Sequence, residues 1–360
     1  MCRAIGSLEI VIVKEPTARC KWRLRVRRSS TVSSVLLCAL LFSSMVSLTV
    51  RAEEKPSLSE RETRLILLGT GGGPMIRQTR SEPASLLIVD GHRYLIDVGS
   101  GTVGRLKQVG FEPAMIDRIF LTHLHFDHTA DLATFLGFNW ISGARAQVEI
   151  FGPPGTKKLT DGARQYLETG EKLYASFLPA APPLASTIIT HDIDVDGSGQ
   201  TVYQDDRLKV IAVQNTHYSA TTPPRNQAVN WKSYAFRFET RDKVIVFTGD
   251  TGPSEAVTRL AHGADILVSE VIDIPTVISM IRKSTGATNQ QLKPILEHQI
   301  KEHLVPEEVG RMASRAQVKR VVLTHIVPGL DGESGTSQYM TGVRKYYEGP
   351  VTLGRDLDEY

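Results

Sequence analysis

Cysteine is nearly absent from this sequence, and its placement is informative. The three cysteines of the 360-residue chain, Cys2, Cys20 and Cys38, all lie near the N-terminus. No residue after Cys38 can offer a thiolate. A metal site in that long remainder would therefore have to use imidazole and oxygen ligands.

The sequence also lacks an internal repeat of fixed period and a low-complexity linker. Its composition, 41% hydrophobic and 22% charged, is that of a globular protein, which excludes disorder of the whole chain. We therefore predict an N-terminal extension with a signal peptide over residues 1–52, followed by one mixed α/β domain over residues 53–360.

Positive charge is scarce outside the N-terminal extension. Residues 1–52 hold nine Lys/Arg and two Asp/Glu, a net charge of +7. Subtracting this from the +3 of the whole chain leaves −4 for residues 53–360. A weakly acidic domain lacks the overall basic surface of a nucleic-acid-binding protein, so we do not expect nucleic acid as a partner.

The only long apolar run lies at residues 31–50, after the basic stretch 19–28 and before Val50-Arg51-Ala52. This order is typical of a cleaved secretory signal peptide and predicts a periplasmic or secreted protein. A permanent anchor is the alternative, because about 20 apolar residues can span a bilayer. In that case the protein would contact the membrane only through this uncleaved segment.

From residue 64 onward, short β-rich apolar runs alternate with helical stretches. The strand-like runs are residues 64–70, 84–91, 93–99, 117–123, 148–155, 208–217, 233–240, 243–251, 264–270 and 319–325. The helical stretches are residues 101–109, 128–137, 155–168, 253–261, 276–302 and 306–316. Segments 178–187 and 219–230 are predicted loops that could overhang a site.

The strongest motif is residues 122–128, Thr-His-Leu-His-Phe-Asp-His, which follows an apolar run and precedes a helical stretch. Alternate residues at a strand end point the same way, so His123 and His125 can converge on one metal ion. Asp127 and His128, at the turn into a helix, can face a second ion. Four polar residues without a shared role are the alternative interpretation.

Three further candidate ligands, His217, Asp250 and His325, each end an apolar strand-like run. Sheets of α/β proteins place their ligands where strands give way to loops. A metal centre explains all seven side chains together.

The pattern His-x-His-x-Asp-His, followed by a spaced His, a Gly-Asp-Thr and a Thr-His, resembles the metallo-β-lactamase superfamily over residues 64–360. The resemblance implies an α/β fold, a four-layer αββα sandwich with metal at one edge. It implies a first ion on His123, His125 and His217, a second on Asp127, His128 and His325, and Asp250 bridging both. Two Zn²⁺ per chain are expected, although Mn²⁺ or Fe²⁺ would suit the same ligands.

Other residues resemble one branch of that family, the ribonuclease Z and metallo-β-lactamase-type arylsulfatase group. The markers are the glycine-rich residues 68–74, residues 151–155 and His303. The glycine loop could equally be a tight turn, and His303 could be a surface histidine at a helix end. Ser100 and Val103 stand where the endonuclease typically has Glu and Gln, which weakens an RNA-processing role. The lack of cysteine argues against the branches with a thiolate ligand.

The resemblance and the ligand set together predict an exported, binuclear, metal-dependent hydrolase of a small sulfate ester or phosphodiester. Two ions about 3.5–4 Å apart would present a bridging hydroxide, Asp127 would orient it, and His303 would assist the leaving oxygen. The alternatives are a ribonuclease Z-like endoribonuclease, a lactone or thioester hydrolase, and a non-catalytic metal-binding module. The expected partner is a small-molecule ester, and a homodimer is possible by resemblance.

Overall fold

The computed structural model describes residues 62–360 except 74, 143–146, 177, 179–180, 220–229 and 333–335, together with the backbone of residues 8–14 and 22–28. The predicted signal segment, residues 31–50, lies outside the described residues. Within the described part of the chain, no helix is both long and apolar enough to cross a membrane.

The chain divides into two units, Met1–Lys55 and Pro56–Tyr360. In the first unit, strands β1 (Leu8–Lys14) and β2 (Trp22–Arg28) pair in antiparallel fashion. All the predicted site residues lie in the second unit.

One sheet of the second unit has six strands that are adjacent in sequence order. They are β3 (Arg64–Gly69), β4 (Ala84–Val89), β5 (His92–Ile96), β6 (Arg118–Phe120), β7 (Val148–Gly152) and β8 (Ile188–Asp192). The first three pair antiparallel, and β5 to β8 pair parallel. Strand β4 is buried along its whole length, as its unbroken apolar sequence predicts for a covered sheet.

The other sheet has seven strands, again adjacent in sequence order. They are β9 (Gln200–Gln204), β10 (Leu208–Gln214), β11 (Tyr234–Thr240), β12 (Val244–Phe247), β13 (Ile266–Ile272), β14 (Val321–Val327) and β15 (Val351–Leu353). It repeats the pattern of the first sheet, with antiparallel pairing from β9 to β12 and parallel pairing from β12 to β15.

An aromatic cluster fills the space between the two sheets. Phe120 of the first sheet stacks on Phe151 at 5.1 Å and meets Phe238 of the second sheet edge-on at 5.3 Å. Edge-on and offset ring pairs at these distances add to the free energy gained by burial. The aromatic contacts hold the ends of β6 and β11 together, and β6 leads directly into the histidine motif.

Nine α-helices are described in the second unit, and most cover the outer faces of the sheets. They are α1 (Thr102–Gln108), α2 (Phe126–Thr129), α3 (Leu132–Ile141), α4 (Thr156–Ala175), α5 (Glu255–Leu260), α6 (Ile274–Thr285), α7 (Asn289–Glu302), α8 (Pro306–Ala316) and α9 (Ser337–Arg344). Apolar side chains of α1, α3 and α4 pack on the first sheet, and those of α5, α8 and α9 on the second. The predicted four-layer αββα sandwich is confirmed.

Each of the ten predicted strand-like runs contains a strand, but the single helix predicted at 276–302 is wrong. It is two helices, α6 and α7. Gly286 ends the first in a left-handed conformation (φ 69°), and Thr288 begins the second with a capping box to Gln291. Both residues are ordinary helix-end signals. Strands β1, β2, β8, β9 and β15 and helix α9 were not predicted.

Candidate metal centre

The seven predicted ligands meet at one edge of the two sheets because each follows the end of a strand or lies in the short helix after one. His123 and His125 follow β6, and Asp127 and His128 lie in α2. The other three belong to the second sheet: His217 lies after β10, Asp250 lies after β12, and His325 lies near the C-terminal end of β14.

Three histidines form the first cluster. The Nδ1 atom of His125 lies 3.2 Å from Nε2 of His123 and 3.1 Å from Nε2 of His217. Three imidazole nitrogens converging this closely can share one cation.

The second cluster contains one carboxylate and two histidines. The Oδ2 atom of Asp127 lies 3.6 Å from Nε2 of His128 and 3.5 Å from Nε2 of His325. These atoms also satisfy the spacing of a metal site.

Asp250 lies between the clusters and reaches both. Its Oδ2 is 3.8 Å from Nε2 of His123 and 3.1 Å from Nε2 of His325, and its Oδ1 is 3.4 Å from Nε2 of His128. The side chain is 3% exposed, so solvent does not satisfy it. This position fits the bridging role implied by the sequence resemblance.

The buried donors and acceptors at the centre lack ordinary partners. Among the described residues, Nε2 of His128, Oδ1 of Asp250 and both ring nitrogens of His325 have no hydrogen-bond partner. The ionic contacts above are short enough for Coulomb attraction but lack hydrogen-bond geometry. An unsatisfied buried polar group costs about 1–3 kcal/mol. A divalent cation among these atoms would remove that cost, and the imidazole–carboxylate donor set suits zinc, manganese or iron.

For three of the histidines, His123, His128 and His217, the far side of the ring is held by a hydrogen bond, which aims the other nitrogen at the centre. His128 Nδ1 donates to Oδ2 of Asp97 over 2.9 Å, and His217 Nδ1 donates to the carbonyl of Glu302 over 3.0 Å. His123 Nδ1 is 3.0 Å from the Thr122 hydroxyl, which itself donates to Asp97. Such outer contacts fix the tautomer and orientation of ligating histidines.

Sequence reasoning assigned no role to Asp97. It is buried and accepts from the Thr122 main-chain N–H as well as from the ring of His128. The signal was present, because Asp97 directly follows strand β5 just as the ligands follow theirs. Its backbone is left-handed (φ 59°), a conformation that commonly marks functional positions in non-glycine residues.

The glycine-rich loop after β3 packs directly against two ligands. The Gly73 N–H donates to Oδ2 of Asp127 over 2.9 Å, and a Cβ at Gly73 would lie 2.4 Å from that oxygen. A Cβ at Gly72 would lie 2.5 Å from Nδ1 of His325. The loop is therefore more than a tight turn, because only glycine lets the backbone approach the ligands this closely.

Protonation differs between the two clusters. Burial lowers the pKa of His217 to about 3 and holds the pKa of His123 well below its ordinary value. Burial also disfavours protonated His128 and His325, but Asp250 and the neighbouring carboxylates raise the pKa of His128 well above its ordinary value and that of His325 to about 10. The first cluster thus offers neutral imidazoles, while in the second a cation would replace protons.

His303, predicted to be catalytic, lies at the C-terminal end of α7 beside this centre. Its Nδ1 is 2.7 Å from Oε2 of Glu270, and its ring centroid is 4.9 Å from that of His217. Burial opposes protonation, but the charge of Glu270 raises the pKa of His303 above its ordinary value. Sequence reasoning missed Glu270, whose signal is a lone charged residue inside the buried apolar strand β13.

A cavity of about 630 Å³ opens onto the centre. Its base includes His125, Asp127, His217, Asp250 and His325, and His303 lies on its wall. The volume falls within the range of about 300–1,000 Å³ typical of small-molecule sites. The aromatic Tyr218 lies beside the first cluster, with its ring centroid 5.3 Å from that of His125.

Known proteins resemble this chain in both sequence and structure. The family described as the beta-lactamase superfamily domain matches residues 92–326. A Ribonuclease Z of Mycobacterium bovis (strain BCG / Pasteur 1173P2) is 30% identical over 301 residues, covering 81% of this chain and 96% of that protein.

Two solved structures share the fold at low identity. The metallo-beta-lactamase fold protein YhfI from Bacillus subtilis has a TM-score of 0.59 and 16% identity, covering 83% of this chain and 98% of that chain. Human tRNase Z, short form, has a TM-score of 0.56 and 21% identity, covering 82% of this chain and 98% of that chain. At these identities the likeness concerns the fold alone.

Proposed function

The chain belongs to the beta-lactamase superfamily, and from this premise we propose that it is a binuclear enzyme that cleaves a small sulfate ester or phosphodiester. The sequence-based predictions of the family and of a metal-dependent hydrolase are confirmed. The observation that carries the finer proposal is the convergence of six other metal-ligating side chains around Asp250, with buried atoms lacking partners, in the lining of a ligand-sized cavity.

We propose two zinc ions, one for each cluster, with manganese or iron as alternatives. The first would be held by the three-histidine cluster, the second by the Asp127 cluster, and Asp250 would contribute to both. Metal ions of this kind supply an activated water and Lewis-acid stabilisation of developing charge.

Two side chains of the protein would assist the reaction directly. Burial would raise the pKa of Asp127, but nearby His128 outweighs it and lowers that pKa, so the carboxylate is ionised at neutral pH and can accept a hydrogen bond from the attacking water. The Gly73 N–H fixes one oxygen of that carboxylate. His303, whose pKa is raised by the charge of Glu270, can donate a proton to the leaving oxygen.

The charge of the cavity supports a small ester more than RNA. Among the described residues that line it, none is Lys or Arg. Polynucleotide binding depends on neutralising several phosphates with such side chains. After β7 the chain enters α4 through a three-residue connection, which leaves no room there for a projecting basic arm.

A second candidate is ribonuclease Z-like endoribonuclease activity. The observation in its favour is the 30% identity to the M. bovis Ribonuclease Z along 96% of that protein. Precursor tRNA is therefore included in the test below.

The test is hydrolysis of p-nitrophenyl sulfate, bis(p-nitrophenyl) phosphate, a lactone and a precursor tRNA by the purified chain. Each is assayed as prepared, after chelation and after return of zinc. We expect zinc-dependent cleavage of one of the first two. Cleavage of precursor tRNA or the lactone alone would overturn the proposal in favour of that activity. No cleavage by a protein holding two metals per chain would favour a binding role.

We also propose that the enzyme acts after export, as residues 31–50 predict. Cell fractionation and N-terminal sequencing test this, with the mature chain expected to begin at Glu53. A full-length chain confined to the cytoplasm would contradict it. Light scattering on the same material tests the homodimer that the family resemblance allows.

A further inference from the structure

Part of the cavity lining is apolar. Helix α6 contributes Val277, Met280 and Ile281 to it, and strand ends contribute Ile272 and Val327. These side chains face the same cavity as the metal-binding residues, so a substrate bound at the centre would contact them. They were not part of any sequence-based prediction.

The three α6 side chains are only partly buried by the protein itself. Ile274 of α6 is buried in a small cluster with Ile272 and Val327, and Val277 and Ile278 of α6 and Leu296 of α7 pack against that cluster. Met280 and Ile281 lie outside it. Apolar surface left open inside a cavity gains free energy when an apolar ligand covers it. The exposed strip on α6 is therefore available to bind substrate.

Charge limits what the cavity can hold. The ionisable lining residues are the predicted metal ligands together with His298 and His303, whose Nδ1 atoms pair with the buried carboxylates of Glu302 and Glu270. The described lining residues include no Lys or Arg that could pair with a second anionic group of a substrate. Ser284 and Gln299 add only neutral polar groups. An ester with one anionic centre at the metals and an uncharged remainder fits this distribution.

We propose that the physiological substrate is an ester with a single anionic group and an uncharged, apolar organic part, aryl or medium-chain alkyl, and that Met280 and Ile281 determine this selectivity. The inference rests on the proposed function, because it takes the reacting ester group to lie at the metal centre. The organic part lies along α6. A volume of about 630 Å³ leaves space for such a group well beyond what a methyl ester needs.

The kinetic test uses p-nitrophenyl phosphodiesters that differ only in the second alcohol, from methyl through butyl to octyl. Because the leaving group is constant, we expect kcat/KM to rise at least about 10-fold from methyl to octyl, mainly through KM, as added methylenes do in apolar sites. Met280→Asn and Ile281→Asn should each remove most of this gain, and Met280→Leu should keep it.

Ile300→Asn is the matched control. Ile300 lies on α7 of the same helical pair, is 50% exposed and does not line the cavity. It should leave the methyl-to-octyl ratio unchanged. Metal content and thermal unfolding of every variant are measured, so that misfolding is separated from lost selectivity.

A binding test separates this inference from the proposed function. Calorimetry on the zinc-loaded chain compares n-octylphosphonate with methylphosphonate, which share a head group and cannot be hydrolysed. Tighter octyl binding that Met280→Asn abolishes supports the apolar site even if no ester is cleaved. Ester cleavage without an octyl preference in either assay, or equal losses in Ile300→Asn, would overturn the inference and leave the proposed function intact.

Discussion

The two sides of the cavity are built in different ways. On the strand-end side, predicted ligands such as His123 and Asp250 are almost fully buried, and Asp97 fixes the orientation of the His128 ring. On the helical side, α6 and α7 rest on a small apolar cluster and leave apolar side chains half-exposed to the cavity.

The difference follows from the forces involved. A buried charge or imidazole is tolerated only when its partners are placed within a few tenths of an ångström, so it requires rigid support from a sheet. Apolar contact is non-directional and scales with area, so a loosely attached helix suffices. We infer that the reaction depends on the strand-end side of the cavity. Side chains on the helical side can change and alter substrate selectivity without abolishing catalysis.

The largest effect is expected from Asp250→Asn, which removes the charge shared by both clusters. We expect kcat to fall at least about 1,000-fold, with loss of bound metal. Metal analysis and ester kinetics measure this. Asp205→Asn is the control, because its carboxylate accepts several hydrogen bonds away from the centre and should affect stability only. Retained metal and activity in Asp250→Asn would contradict the bridging role.

Glu270→Gln tests the positioning of His303. We expect kcat to fall about 10- to 100-fold, as for other residues that orient active-site groups, with little change in KM. The alkaline limb of the pH dependence of kcat should shift to lower pH, because the charge of Glu270 that raises the pKa of His303 would be gone. Glu302→Gln is the comparison variant, because the Glu302 carboxylate is also fully buried and pairs with a histidine, His298. Equal losses of kcat in Glu270→Gln and Glu302→Gln would mean that the loss comes from replacing a buried carboxylate in general, and not from the contact between Glu270 and His303.

Gly73→Ala places a methyl group against Asp127. The expected result is about 10- to 100-fold weaker binding of metal in the second cluster, because the carboxylate must move. Metal titration followed by calorimetry gives the two affinities. Gly104→Ala is the control, since its Cβ would meet nothing within 4 Å. An unchanged metal affinity would show that the glycine-rich loop can move away from Asp127 at little cost in free energy.

Leu296→Ala should have the smallest effect on catalysis. Leu296 packs on the apolar cluster under α6, so we expect a local destabilisation of up to about 2 kcal/mol. Hydrogen exchange should quicken across residues 274–302 while residues 118–128 stay protected. Equal acceleration on both sides of the cavity would mean that they are one cooperative unit.

The sequence by itself was enough to predict the strands of both sheets up to β14, apart from β8 and β9, and the seven side chains that converge at one edge of the sheets. The physical reason is that these features are local. Unbroken apolar runs predict covered strands, and polar residues at strand ends predict a site because strand ends of a sheet meet at one edge. The break between α6 and α7 was local too, since Gly286 and Thr288 carry its signals.

Only the tertiary structure decided which groups hold the predicted site residues in place and which apolar side chains line the cavity beside them. Asp97 and Glu270 act on histidines 31 and 33 residues away in the chain, and Gly73 reaches Asp127 across 54 residues. No local pattern encodes such a distance. The role of the apolar face of α6 could not be predicted from the sequence either, because an amphipathic helix has the same sequence pattern whether its apolar strip packs on a core or lines a cavity.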